Sequence, residues 1–388
     1  MSQKNYAMKF NFPTSWHHGR GLAAESGRFL INLGRKSTLV VTDKLLVDLG
    51  ILDPVTASLD ASNIAYTICD DVTIEPTVSL FEELVNKLDL KKFDSVIAVG
   101  GGSVIDVAKG LSIIAKFGGS IRDYAGHDKV PDYPDWKSIM IPTTSGTGSE
   151  VSEGTIFIDE SLQSKILVLS LKICPTIALT DPEMVKTMPP NVTVNSGIDA
   201  LVHAIESYTS MDASALTEPI SLRAIELISQ GLKPAYRNGN DLDAREAMQL
   251  GATMAMVAGM NAHMGLCHAM AMPLCALYRM PHGQAVGMAL APVLEFNSEV
   301  AKEKVIDIFK IMGFMDETAE EDDLTEACYQ KLEDFLKEID IAAKLSNFGY
   351  QDEHMETIVE GTMNSVQRPF NPRKPSKGDI AAIVRRIV

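Results

Sequence analysis

Two periodicities divide this chain. Up to about residue 185, short apolar runs alternate with segments of helical spacing, and beyond it only helical spacing remains. Residues 37–42 (STLVVT), 64–68 (IAYTI), 95–99 (SVIAV), 138–142 (SIMIP) and 176–180 (TIALT) are β-branched and nearly continuous. Such runs are the mark of parallel strands covered on both faces. Between them, residues 78–88 and 103–115 carry apolar side chains at helical spacing. The pattern predicts a doubly wound, Rossmann-like α/β domain over 1–185. Asp181-Pro182 and Met188-Pro189-Pro190 then punctuate the chain. After them 201–208, 219–228, 243–259, 264–271, 298–312 and 325–337 read as helices, so 186–388 is predicted to be all α.

Composition bounds what such a pair of domains does. With 388 residues, 46% of them hydrophobic, the chain has material for two cores. A net charge of −16 argues against nucleic acid or an anionic membrane as partner. The first 21 residues are polar and broken by Pro13 and Gly19, unlike a signal peptide. No apolar run reaches membrane-spanning length. Five cysteines without CxxC spacing read as free thiols, and the expected location is the cytoplasm. The acidic run 316–323 reads as a solvated loop.

Chemistry enters at four residues of the helical half. Asp199 and His203 in GIDALVHAIESY are four apart, so a helix presents both from one face. His268 in GLCHAM and His282 in MPHG follow. Three imidazoles and a carboxylate suit a borderline divalent ion such as Fe(II) or Zn(II). Taken singly, His268 amid apolar neighbours would be a core histidine; the set of four reads as a metal site. In the α/β half, Gly100-Gly101-Gly102-Ser103, continued by Val104-Ile105-Asp106, follows a predicted strand and opens a predicted helix. Glycines there allow close backbone approach, and free amides at a helix start attract phosphate. A second small-residue loop, Pro142 to Glu150, contains Thr143, Thr144, Thr147 and Ser149 and ends another strand. Either loop alone is compatible with an ordinary βα turn; together they favour a dinucleotide crevice. Asp43, closing the first strand, either accepts from ribose hydroxyls or caps the next helix. The first alternative implies NAD over NADP.

These motifs together resemble one family. GGGSVIDVAK, PTTSGTGSE, GIDALVHAIESY, the His268…PHG pair and the terminal NPRKPS are similar to those of the iron-containing (group III) alcohol dehydrogenases, in order along nearly the whole chain. The resemblance implies a nucleotide-binding α/β domain, a helical metal domain and an active site between them. It places metal ligands at Asp199, His203, His268 and His282, and the pyrophosphate turn at Gly100 to Ser103. It places the second nucleotide loop at Thr143 to Ser149, the adenine-ribose carboxylate at Asp43 and a further cofactor-side residue at Lys165. It also implies a homodimer or higher homo-oligomer, Fe(II) ahead of Zn(II), and hydride transfer between a small primary alcohol or aldehyde and NAD.

Departures from the family pattern sharpen the expectation. Many members carry a second histidine four residues after His268; here that position is Met272, which cannot relay a proton. His263, five residues before His268, is a candidate replacement or simply a surface histidine. Where alcohol-specific members have small residues, this chain reads VQRPFNPR, and Arg368 can pair an anionic substrate group or form a structural ion pair. Gly154 and Gly259 stand where some relatives have larger pocket residues. Two rival readings keep the fold or the site: a dehydroquinate synthase-like lyase using NAD transiently, and a metal- or nucleotide-binding protein that no longer turns over.

Overall fold

The computed structural model describes residues 9–132, 136–162, 164–341 and 344–388. It divides into two compact units: Phe12–Met188, and Pro189–Val388 together with the described residues up to Asn11.

In the first unit six strands lie parallel: β1 Ser15–His18, β2 Ser37–Val41, β3 Ala65–Cys69, β4 Ser95–Gly100, β6 Lys137–Pro142 and β9 Ile177–Thr180. Their order across the sheet is β1-β9-β6-β4-β2-β3. The five apolar runs of the sequence are five of these strands. All six residues of β4 are buried, which explains its unbroken apolar character. The chain winds outward from β2 to β3, then returns past β2 to β4 and continues to β6 and β9. The winding therefore reverses between β2 and β4, the position at which doubly wound sheets generally take their ligands, at the carboxyl ends of the strands.

Four strands escape the sequence pattern. β1 (SWHH) has no apolar run and holds its place by pairing with β9. β5 Gly126–His127, β7 Gly154–Asp159 and β8 Ser164–Leu169 form a second sheet, β5-β8-β7. The buried face of β7 is Thr155, Phe157 and Asp159, so polar residues occupy positions that an apolar alternation would mark. Between the sheets runs the helix Gly102–Phe117, where a Cβ on Gly110 would stand 2.8 Å from both Phe157 Cζ and Phe81 Cε2.

The second unit has no strand among the described residues. Its main helices are Pro190–Thr209, Thr217–Arg237, Leu242–Ala262, Leu266–Tyr278, His282–Ile311, Glu326–Glu338, His354–Met363 and Lys377–Ile387. Six of these overlap the helical spans read from the sequence; His354–Met363 and Lys377–Ile387 were not among those spans. Pro190–Thr209 is buried nearly all round along its second half, and His282–Ile311 is buried from Gly283 to Leu294, so neither shows a polar stripe there. The latter helix kinks at Ala301 (φ −129°, ψ 37°). Asn261 ties the amino-terminal segment to this unit, exchanging two hydrogen bonds with the backbone of Asn11. The acidic stretch before Leu324 is largely exposed and ends in the turn Glu321–Asp323. No helix among the described residues is long and apolar enough to cross a membrane.

Candidate metal centre and nucleotide loops

In the helical unit the four sequence-predicted ligands come together. Asp199 and His203 stand one turn apart on Pro190–Thr209. His268 is the third residue of Leu266–Tyr278. That helix ends at Arg279, in a left-handed conformation (φ 50°), and the chain turns through Met280-Pro281 to open the next helix with His282. From Asp199 Oδ1 the Nε2 atoms of His203, His268 and His282 lie 3.7, 3.5 and 3.5 Å away. The ligand atoms of Asp199, His268 and His282 are all within 4.8 Å of one another. The rings of His203 and His268 stack 4.7 Å apart.

This geometry fits a metal ion. Two donors each about 2.1 Å from one ion in a tetrahedral arrangement stand roughly 3.4 Å apart. Asp199 Oδ1 and His268 Nε2 are buried and have no hydrogen-bond partner. Buried polar atoms are otherwise nearly always satisfied, so a converging orphan pair marks a ligand position.

Glu206, which the sequence reading passed over, completes the arrangement. It lies seven residues after Asp199 on the same helix face. Its carboxylate accepts from His268 Nδ1 (2.6 Å) and from the backbone amides of Gly265 (2.9 Å) and Cys267 (2.5 Å). The helix start that carries His268 is thereby clasped by one carboxylate. With Nδ1 occupied, Nε2 faces Asp199. Behind His282, the Cys275 thiol stands 3.9 Å from Nδ1.

Electrostatics differ sharply within the cluster. Burial would raise the Asp199 carboxyl, but His203, His282 and His268 hold it well below the usual carboxylate range. Burial pushes His203 down to about 4. Burial also disfavours the His268 imidazolium, yet the neighbouring Asp199 and Glu206 carboxylates, the latter hydrogen-bonded to Nδ1, outweigh this and lift it to about 9. Two buried carboxylates thus demand positive charge at one point.

In the α/β unit the nucleotide candidates gather at the winding reversal. Asp43 follows β2, and Gly100 to Ser103 end β4 and open Gly102–Phe117. Residues 143–149 follow β6, the other neighbour of β4. The two loops touch: Thr143 N donates to Gly100 O at 3.0 Å, and a Cβ on Gly101 or Gly102 would stand 3.2 Å from Thr144 Cγ2 or 3.0 Å from Thr147 Cγ2. Thr147 Oγ1 accepts from Ser149 N. Asp43 does cap the following helix, Oδ1 accepting from Leu46 N at 3.0 Å. Ser103 Oγ accepts from Glu75 N, and Lys165 pairs with the Glu75 carboxylate at 2.9 Å. Asp106 is turned inward: its oxygens accept from Ser149 Oγ (2.8 Å) and Ile156 N (3.1 Å). Burial pushes its carboxyl up to about 6 against the pull of nearby Lys109.

The remaining candidates scatter. His263 is a helix cap in a left-handed conformation (φ 63°), its Nε2 3.5 Å from Asp212 Oδ2 and its ring 4.1 Å from that of Phe370. Met272, one turn beyond His268, is exposed. Gly259 is closed over by Met264, whose Cε would stand 2.3 Å from an added Cβ. Gly154 belongs to the other unit, pairs with Leu169 in the second sheet and gives its carbonyl to Lys109. Arg368 makes no ion pair among the described residues, and its Nε is buried without a hydrogen-bond partner. The turn Arg368–Phe370 is stapled beside the ligand helix: Asn371 Oδ1 accepts from Leu266 N at 3.2 Å, and Phe370 O from Met211 N at 2.8 Å.

Known proteins share this architecture. Residues 13–182 match the family described as iron-containing alcohol dehydrogenase, and residues 193–388 match the description Fe-containing alcohol dehydrogenase family, C-terminal. Alcohol dehydrogenase 4 of Schizosaccharomyces pombe is 32% identical over 378 residues, 97% of this chain and 88% of that one. A crystal structure of a 1,3-propanediol oxidoreductase superposes with a TM-score of 0.94 at 30% identity, covering 99% of this chain and 100% of the other. Sulfoacetaldehyde reductase from Bifidobacterium kashiwanohense, solved with NAD+, superposes with a TM-score of 0.89 at 25% identity over 99% of each chain.

Proposed function

This chain belongs to the iron-containing alcohol dehydrogenase family, and we propose that it is an NAD-dependent reductase or dehydrogenase of a small aldehyde or alcohol bearing an anionic group. Membership makes it a metal-dependent oxidoreductase of alcohols and aldehydes. The observation that carries the site is the convergence of three imidazole Nε2 atoms on Asp199 Oδ1. Asp199, His203, His268 and His282 would hold the ion, Fe(II) in first place and Zn(II) as the alternative. A divalent cation bound there supplies Lewis acidity toward an alcohol or carbonyl oxygen. NAD, held by the loops at 100–103 and 143–149, supplies the hydride chemistry.

What the chain itself contributes is placement. Glu206 keeps the His268 proton on Nδ1 and leaves Nε2 as the ligand atom. Asp43 has a second carboxylate oxygen beyond the one used as a helix cap, free to accept from ribose hydroxyls and repulsive to a 2′-phosphate. Met272 offers no proton relay one turn from His268, so the alcohol proton would leave through cofactor hydroxyls and water or through His263.

Arg368 supports the anionic substrate. A guanidinium without a carboxylate partner among the described residues, on a turn fastened to the start of the His268 helix, lacks there the ion pair that a purely structural role would need. The relative that acts on sulfoacetaldehyde, as its name states, is consistent with this class. We further propose a cytoplasmic homodimer or higher homo-oligomer. Kinetics on freshly metal-assayed protein test the reading, comparing ethanol and 1,3-propanediol with 4-hydroxybutyrate and sulfoacetaldehyde. Arg368→Ala is expected to lower kcat/KM for the anionic substrates by about a hundredfold, the worth of a bidentate charged pair, and leave the neutral ones within about threefold. Preference for the neutral alcohols, unchanged in the variant, would overturn the anionic assignment.

A further inference from the structure

One buried cation in the α/β unit is not used by the reading above. Lys109 is 1% exposed. It lies three residues after Asp106 on Gly102–Phe117, so both project from the same face of the helix that the glycine turn opens. Its Nζ donates to Ser152 O (2.9 Å), Ser152 Oγ (3.0 Å), Gly154 O (2.9 Å) and Ser149 Oγ (3.3 Å). Beside it, Asp106 accepts from Ser149 Oγ and Ile156 N, while its backbone carbonyl accepts from Thr155 Oγ1 at 2.8 Å. Two charged residues of one helix therefore grip the chain from Ser149 to Ile156. That stretch runs from the end of the second nucleotide loop into β7.

We infer that Lys109, with Asp106 as its counter-charge, is a positioning residue that sets the second nucleotide loop against the glycine turn. The first loop is rigid because it begins the helix. The second has no such support: after Pro142 its backbone runs through a left-handed Gly148 (φ 60°) with few bonds of its own. Contacts between the loops are tight, an added Cβ on Gly102 meeting Thr147 at 3.0 Å, so a small shift of the second loop changes the cradle. Nζ is a compact charge with three donors, and the inward-facing carbonyls of Ser152 and Gly154 converge on it. An apolar side chain of the same length would leave both carbonyls without a partner and free the loop. Asp106 and Ser149, expected from sequence to touch cofactor, spend these polar atoms on each other.

The inference rests on the proposal that this unit binds NAD, and the experiment separates the two. NADH and AMP dissociation constants are measured on full-length, metal-loaded protein, together with KM for NAD and kcat. For Lys109→Met we expect NADH affinity to fall by about tenfold or more and KM for NAD to rise in step, with kcat and AMP affinity within about twofold of wild type. AMP carries only the adenylate half of the cofactor, which Asp43 is proposed to hold, and so reports that side of the site. Asp106→Asn, which keeps shape and removes the counter-charge, is expected to weaken NADH by about threefold and serves if the Lys109 variant fails to fold. NADH affinity unchanged in both variants overturns the inference, as does an equal loss of NADH and AMP. A wild-type protein that binds no NADH overturns the parent reading instead.

Discussion

At the residue scale, His268 and Glu206 act as a unit. A carboxylate on Nδ1 fixes which nitrogen faces the ion, and such outer partners typically matter about 10- to 100-fold in metal affinity. Glu206→Gln should lose affinity in that range by competition with a chromogenic chelator, its single amide oxygen standing in for two carboxylate oxygens that Gly265 N and Cys267 N use separately. An unchanged affinity would reduce Glu206 to a helix clasp. The candidate ligands themselves were legible in the sequence because Asp199 and His203 share a helix face and the two later histidines sit in distinctive motifs. Glu206 occupies the same face, three residues after His203, and that spacing was equally visible. It was missed because an isolated glutamate on a helix reads as solvated; only its three donors, all remote in sequence, mark it as buried and engaged.

At the element scale, the ligand set depends on how close two helices come. A Cβ on Gly283 would stand 1.8 Å from Asn195 O, a backbone atom that cannot give way as a side-chain tip can. The helix beginning at His282 therefore packs backbone to backbone on Pro190–Thr209, four residues from Asp199. Gly283→Ala should cost about 3 kcal/mol or more of stability and displace His282, seen as a lowered urea midpoint and reduced bound metal. In the other unit, Arg122 joins the turn Ile121–Tyr124 to β7 through Nε and Nη2 bonds to the buried Asp159 at 2.7 and 3.2 Å. Arg122 and Ser161 hold that carboxyl well below its usual range. A depressed carboxyl stabilises the fold above its unfolded pKa near 4, and the contribution is lost as pH falls through the folded value. Arg122→Gln should thus lower the urea midpoint at pH about 7, with the gap to wild type closing below about pH 4. A gap independent of pH would show that the pair is not the cause.

At the scale of the whole molecule, the two chemistries live on separate cores. The metal candidates lie in 189–388, whose buried cluster contains no residue of the other unit, and the nucleotide loops lie in 12–188 with two clusters of their own. Metal-stripped protein should accordingly bind NADH within about threefold of the loaded protein and regain turnover on adding Fe(II). Metal at about a thousandfold above its Kd adds roughly 4 kcal/mol. Chelation should therefore lower the thermal midpoint by about 10 °C, at a few degrees per kcal/mol. The sequence alone determined the α/β-then-α division, five of the six parallel strands and the four candidate ligands. Each of these rests on short-range patterning: continuous apolar runs, helical spacing and residue types fixed by chemistry. Tertiary structure alone decided the order β1-β9-β6-β4-β2-β3, the second sheet, and the roles of Glu206, Gly283, Asp106 and Lys109. Strand β1 exists only through β9, and β7 buries polar side chains that partners in Gly102–Phe117 and Arg122 satisfy. Such roles depend on groups far apart in the chain meeting in a low-dielectric interior, where an unpaired polar atom is costly and a missing Cβ permits backbone contact.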